Sequence, residues 1–515
     1  MEAPLAARAT TTTTKPCRSG ASGMRPFGTL GPSIDAANYG LQWKEKVQLV
    51  KTELECVIKA PVLNEATLIE SPPKGHRHRA GPLAVLRGVA EARHRMELAM
   101  WDPVAQAHSI VRPEEVPIYS PEISAAMRVL RAVPIELDKD LPQAASASSG
   151  CQSDVADFDD DDDDDSENDK DDDRDIPFRT ATSGSVLGKG LRSVQLQSTL
   201  SGELLVCLCY FDERLKTRKR SEQLPEDHDP EVWRRAAGEL RDCFMEAFER
   251  RAAATAATGA TTTREGSIHI VGRWRRRKLA VDQDFITEVF HLQGELPGEE
   301  RRLSYKQPEG QFSNPNSPCE VRCLEWLCKE ARRIVSERPD AKLLELHCGG
   351  GCNTIALAPC FSSVVAIEIN RVLAEVAEEN IARNSLSNVQ IVRSPSAQAQ
   401  AHARDASVVL VDPPRAGLDG DTLAAVQNFQ DVLYISCNPA ALARDLALLC
   451  EHDVLSLAIF DMFPYTTHAE CAVWLRRRAR KSSSLSLGAA VFVVGLAVVT
   501  TLAFSVLRRP GPAGQ

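Results

Sequence analysis

The chain has 515 residues, 43% of them hydrophobic and 26% charged, with 15 cysteines and a formal net charge of −10. That length leaves room for two or three domains with real cores, and the scattered cysteines exclude a small disulfide-stapled scaffold and point to a reducing compartment. The acidic balance is local: residues 154–175 hold 14 Asp and one Glu against one Lys and one Arg, a charge of −13, so the rest of the chain is near +3 and suits a polyanionic partner.

Residues 1–38, where Glu2 is the only acid before Asp35, read as a disordered segment, with a weak transit peptide as the alternative. Residues 39–310 read as an α+β region. Helical periodicity runs from Lys44 to Cys56, and His76-Arg77-His78-Arg79 is basic. Residues 143–186 interrupt this region with a low-complexity acidic insertion, a solvated linker rather than a mimic of nucleic acid. A strand is expected over Gly202–Tyr210 and an amphipathic helix near Trp233–Arg250. The run Arg273-Trp274-Arg275-Arg276-Arg277-Lys278 sets five basic side chains around one Trp. It fits a phosphate grip with a stacking ring as well as it fits a solvated hairpin tip.

From Pro318 to Val335 a helix is expected, with Val321, Leu324, Cys328, Ala331 and Val335 along one face. Strands then read at Leu343–His347, Val364–Ile369, Val389–Val392, Val408–Val411, Val432–Ser436 and Val454–Phe460, with helices near Val372–Asn384 and Ala440–Cys450. That alternation calls for a parallel, doubly wound sheet over residues 311–480. Neither Cys319/Cys323/Cys328 nor Cys348/Cys352/Cys360 offers a CxxC pair or spaced His and Cys ligands, so no metal is expected. The 23 uncharged residues Leu485–Leu507 follow the basic run Arg476–Lys481. They read as a C-terminal transmembrane helix that anchors the chain with its large domain facing the cytosol.

Three motifs carry chemistry. In Glu345-Leu346-His347-Cys348-Gly349-Gly350-Gly351 a first strand hands over to a helix, and Glu368, 18 residues beyond Gly350, ends the second strand. Glycines let the main chain approach a ligand, and an acid at that place accepts hydrogen bonds from ribose hydroxyls. Val411-Asp412-Pro413-Pro414-Arg415 forms a loop at a strand end. Tyr434-Ile435-Ser436-Cys437-Asn438-Pro439 puts a thiol at the end of an apolar strand, and Glu470 lies 33 residues later in Thr466-Thr467-His468-Ala469-Glu470-Cys471.

Together these motifs resemble the RNA uracil-5 methyltransferases, most closely the bacterial tRNA (uracil-5-)-methyltransferases. The likeness is close over Gln311–Trp474 and looser over Tyr39–Gly310. It implies a Rossmann-like domain that binds S-adenosylmethionine, preceded by an α+β RNA-binding domain, acting on tRNA as a monomer. It also implies Cys437 as the nucleophile that adds to uracil C6, and Glu470 as the base that removes the C5 proton. The family's cofactor contacts fall on Asn314, where it has Gln, on His347, where it has Tyr, on Cys352, where it has Asn, and on the retained Glu368 and Asp412. Arg415 is expected to hold the base or a phosphate, and His468 to relay a proton or to hold the loop. The target is the T-loop uridine 54, flipped from folded tRNA. Two other readings are a ribosomal RNA uracil-5 methyltransferase and a membrane-tethered RNA-binding protein that has lost methyl transfer.

Overall fold

A computed structural model describes residues 36–87, 96–102, 107–113, 116–137, 141, 181–210, 229–257, 266–275, 277–294, 299–402 and 405–479. The chain opens with α1 (Tyr39–Leu54), α2 (Ala60–Asn64) and β1 (Thr67–Ile69). In α1 the residues Tyr39, Trp43, Lys46, Val47, Val50 and Leu54 are buried, the three- and four-residue spacing of one helical face.

A seven-stranded sheet follows, formed by β2 (Arg79–Arg87), β3 (Met96–Asp102), β4 (Ala107–Ile110), β5 (Ser193–Ser198), β6 (Leu204–Cys209), β7 (Ile268–Arg273) and β8 (Lys278–Val281), in the order β4-β3-β2-β5-β6-β7-β8. Only the β6–β7 pair is parallel, because α5 (Pro230–Ala257) carries the chain back between them. Two further helices, α3 (Pro121–Ala132) and α4 (Ala181–Gly188), complete this part. Trp233 from α5 donates its indole N–H to the Tyr210 hydroxyl at 2.9 Å, and Tyr210 stacks on Trp274 with ring centroids 4.4 Å apart.

That packing decides the reading of the basic run. Trp274 is a core side chain, 9% exposed, and offers no stacking face to a base. Arg273 is paired with Glu309 at 2.7 Å and Lys278 with Asp284 at 2.6 Å, so the segment is the β7–β8 hairpin rather than a stacking grip. The helix α4 also begins inside the stretch expected to be acidic insertion; residues 142–180 lie outside the described residues.

A long hairpin of β9 (Phe285–Gln293) and β10 (Glu300–Pro308) leads to α6 (Ser317–Glu337). Asn316 caps α6, its side chain accepting from the Cys319 N–H at 3.2 Å, and Pro318 occupies the first turn, where no donor is lost. Beyond it come β11 (Lys342–Leu346), α7 (Cys352–Leu357), β12 (Ser363–Ile367), α8 (Arg371–Arg383), β13 (Val389–Val392), β14 (Val408–Val411), α9 (Gly420–Val426), β15 (Asp431–Ser436), α10 (Pro439–Leu448), β16 (His452–Phe460) and β17 (Glu470–Arg477). They form an eight-stranded sheet in the order β1-β16-β17-β15-β14-β11-β12-β13.

The expected strands recur within two residues at each end, and Val389–Val392 and Val408–Val411 match to the residue. In β14 all four residues are buried. Val408 and Leu410 face one core cluster and Val409 and Val411 the other, as in a strand covered on both sides. Two features correct the parallel sheet expected. β17 runs antiparallel to β15, with Ser436 opposite Cys471. β1, expected within the α+β region, instead pairs parallel with β16 at the sheet edge. Among the described residues no helix is long and apolar enough to cross a membrane. The apolar segment 485–507 lies outside them, as do residues 1–35.

Candidate active site

The handover from β11 to α7 is a turn with three residues in the left-handed region: His347 at φ 61°, Gly349 at 57° and Gly351 at 82°. Glycine adopts that region freely, whereas a histidine there costs about 1–2 kcal/mol, a strain typical of ligand-binding turns. A Cβ at Gly349 would meet nothing within 4 Å, so the main chain is open on that side. The Glu368 carboxylate, at the end of β12, accepts from the N–H of Gly349 at 2.9 Å and of Asn370 at 2.7 Å. Burial holds the His347 imidazole below its usual range and therefore neutral, with Ser396 Oγ 3.2 Å from Nε2.

Behind the turn sits a carboxylate that sequence reasoning passed over. Glu320, on the buried face of α6 in line with Leu324 and Leu327, accepts from Asn314 Nδ2 and, at 3.6 Å, from Cys352 Sγ. Two of the expected cofactor residues are thus joined through a third. The signal was present, since an acid on the apolar stripe of an amphipathic helix is unusual. Burial, then Glu320, pushes the half-buried Asp412 up to about 7. Burial, then Asp412 and Glu320, raises Glu470 well above the carboxylate range. Deeper still, Glu345 accepts from Thr354 Oγ1 at 2.5 Å and is pushed up to about 8 by burial.

Cys437 and Glu470 come together through the sheet. The ladder ends with Ser436 of β15 opposite Cys471 of β17, so Cys437 and Glu470 are the next residues beside that pair, and Glu470 acts on the Cys437 thiol. Burial, then Glu470 and Asp412, pushes the half-buried Cys437 thiol up to about 11, and Arg415 opposes them. Arg415 donates to His468 Nε2 at 2.7 Å, so the ring carries its hydrogen on Nδ1, which lies 3.4 Å from the Cys437 carbonyl oxygen. Burial and Arg415 hold His468 near 4, neutral at ordinary pH. Its geometry is that of a strut between Arg415 and the Cys437 main chain. Asn438 adds a second tie, donating to the Arg415 carbonyl at 3.1 Å.

The segment leading to Glu470 is held from the far end of the chain. Lys46 of α1 donates to Asp461 at 2.5 Å and to the Phe463 carbonyl at 2.8 Å, and Tyr39 donates to Asp461 at 2.7 Å. Asn316, 3.3 Å from the carbonyls of Asp461 and Met462, ties the same stretch to the start of α6. No local pattern in the sequence signals contacts across some 415 residues.

A doubly wound sheet with an antiparallel final strand inserted beside β15, a glycine turn after β11 and an acid closing β12 defines a methyltransferase dependent on S-adenosylmethionine. The model of the family tRNA (Uracil-5-)-methyltransferase matches residues 244–478. A tRNA/tmRNA (uracil-C(5))-methyltransferase of Aromatoleum aromaticum is 30% identical over 466 residues, spanning 87% of this chain and 98% of the relative. That of Haemophilus ducreyi is 39% identical over 229 residues, 41% of this chain and 59% of the relative. Among solved structures, Pyrococcus abyssi tRNA (uracil-54, C5)-methyltransferase in complex with S-adenosyl-L-homocysteine aligns at 17% identity with a TM-score of 0.49, covering 84% of this chain and 83% of that one. The chain belongs to the tRNA (uracil-5-)-methyltransferase family.

Among the described residues no group of three or more His, Cys, Asp or Glu is placed to hold a metal ion. The residues around the turn fit S-adenosylmethionine: the Gly349 main chain is open, the Glu368 carboxylate stands beside it, and Glu320 lies close enough to Asp412 and Glu470 to raise both.

Proposed function

We propose that this chain transfers a methyl group to C5 of uridine 54 in the tRNA T-loop through a covalent bond between Cys437 and C6, acting as a monomer. The observation that supports this reading is the β15–β17 register, which ends with Ser436 opposite Cys471 and so brings Cys437 and Glu470 to the same end of the strands, where open sheets bind ligands. Uracil C5 is too weak a nucleophile unaided. The Cys437 thiolate adds to C6, forming the Sγ–C6 bond and moving the C5–C6 π electrons toward C5 and O4 as an enolate. S-adenosylmethionine, when bound, supplies an electrophilic methyl group on a sulfonium. Once C5 carries the methyl group, Glu470 as carboxylate removes the C5 proton. The double bond re-forms and the Sγ–C6 electron pair returns to the thiolate. Arg415, held by His468, lies beside the thiol and favours its ionised form. In this reading Asp412 and Glu368 contact the cofactor and His347 stacks on it.

The test of the base role is Glu470→Gln. Addition and methylation proceed but the C5 proton stays, so a protein–tRNA adduct should build up and survive denaturing electrophoresis. No adduct together with undiminished product would remove Glu470 from that role.

The uncharged run of 23 residues at Leu485–Leu507, after Arg476–Lys481, supports a further part of the proposal: a membrane tail with the catalytic domain on the cytosolic side. The full chain should then fractionate with membranes and resist carbonate, while a chain ending at Arg480 should stay in solution with its activity intact. Full-length protein in the soluble fraction, or loss of fold on truncation, would contradict it.

A further inference from the structure

Glu320 is a buried carboxyl group with no part in the chemistry described for Cys437 and Glu470. It is 6% exposed, and among the described residues it has no lysine, arginine or histidine within ion-pair reach. Its carboxylate instead takes hydrogen bonds from Asn314 Nδ2 and Cys352 Sγ, and its charged neighbours are the carboxylates of Asp412 and Glu470. Acids collected this way, out of water and without a counter-ion, are unfavourable as anions. Burial moves Glu320 toward its protonated form, and a cation beside it would move it back. A pocket built so is electrostatically matched to a ligand that brings positive charge.

The cofactor proposed above carries two such charges, the sulfonium and the α-ammonium of its methionine portion. The order of the acids separates them. The Cys437 thiol has Glu470 and Asp412 among its charged neighbours, and those two carboxylates have Glu320 among theirs. Glu320 is also tied to Cys352, the first residue of α7 beyond the glycine turn. It therefore stands on the side of the glycine turn. We infer that Glu320 receives the α-ammonium of the cofactor's methionine portion, with Asn314 and Cys352 acting as positioning residues that hold its carboxylate. The Asn314 amide and the Cys352 thiol reach the ligand only through Glu320.

This inference rests on the cofactor reading, and the test separates the two. S-adenosylmethionine, S-adenosylhomocysteine and 5′-methylthioadenosine are titrated calorimetrically into the full chain and into Glu320→Gln. The second ligand lacks the sulfonium, and the third lacks the whole amino-acid portion. Glutamine keeps the size and an acceptor, so the free variant should unfold at the parental temperature or higher. The variant should bind the first two ligands at least about tenfold more weakly, by a similar factor, and the third unchanged. In the parental chain the first two should also release a proton on binding, read from buffers of different ionisation enthalpy, and this needs no variant to fold. Weakening of S-adenosylmethionine alone would move Glu320 to the sulfonium and overturn the inference. Equal weakening of all three, or no weakening, would also overturn it. A parental chain that binds none of the three would overturn the cofactor reading itself.

Discussion

Cys437→Ala should lower methyl transfer to tRNA by at least about 10⁴-fold, the scale seen when a covalent nucleophile is deleted. The side chain is half-buried at the end of β15, so a methyl group in place of the thiol opens little space and leaves the strand pairing with β17 intact. Folding and tRNA binding should therefore persist, and thermal unfolding and gel-shift titration check both. Parental activity should depend on pH in a defined direction. Burial with Glu470 and Asp412 pushes the thiol up to about 11, so the reactive thiolate is the minor form at neutral pH. Its fraction grows about tenfold per unit from pH 7 to 9, and kcat/KM at low tRNA should rise with it. Activity of the alanine variant within tenfold of the parent would rule out the covalent route.

Lys46→Met should destabilise the folded chain by about 3–5 kcal/mol, the cost of breaking a buried pair from one side. Lys46 and Asp461 are each 1% exposed, and their contact lies at 2.5 Å. Burial outweighs the pull of Asp461 and lowers the Lys46 pKa, so the pair is costly to keep in place of apolar packing. Removing the ammonium alone leaves Asp461 charged, with the Tyr39 hydroxyl as its remaining side-chain donor. Adding Asp461→Asn should recover much of the loss, because the amide still accepts from Tyr39 and carries no charge. Denaturant midpoints of the single and double variants test this, and strictly additive losses would contradict it. The single variant should also turn over more slowly, since the Phe463 carbonyl that Lys46 holds lies on the segment leading to His468 and Glu470.

Which parts of this structure were legible beforehand follows from how local their causes are. Val408–Val411 is a short, wholly apolar run, which is what a strand covered on both faces needs, and Val389–Val392 keeps three apolar residues around Gln390 at the sheet edge. The helix α9 escaped notice because it spans seven residues and opens on Gly420, though Asp419 caps it through the N–H groups of Asp421 and Thr422. Thr67–Ile69 gave no sign that its partner would be Ala458–Phe460, since pairing across such a separation depends on the edge left open by β16. Trp274 misled because basic neighbours suggest a nucleic-acid surface, whereas the ring packs on Tyr210 and Trp233. The runs at His347, Asp412 and Cys437 were legible as strand ends because each closes a short apolar strand. Glu320 stood out only as an acid on an apolar helix face, and its partners appear only when α6 lies against the turn at Cys352.

The central claim is methyl transfer to one uridine through Cys437. Its most direct test incubates unmodified tRNA transcript with S-adenosylmethionine labelled in its methyl group, followed by digestion to nucleosides. The label should appear in 5-methyluridine at one residue per tRNA, located at position 54, and should be absent with Cys437→Ala. Label on another nucleoside or on ribose, or 5-methyluridine formed equally by the alanine variant, would contradict the account.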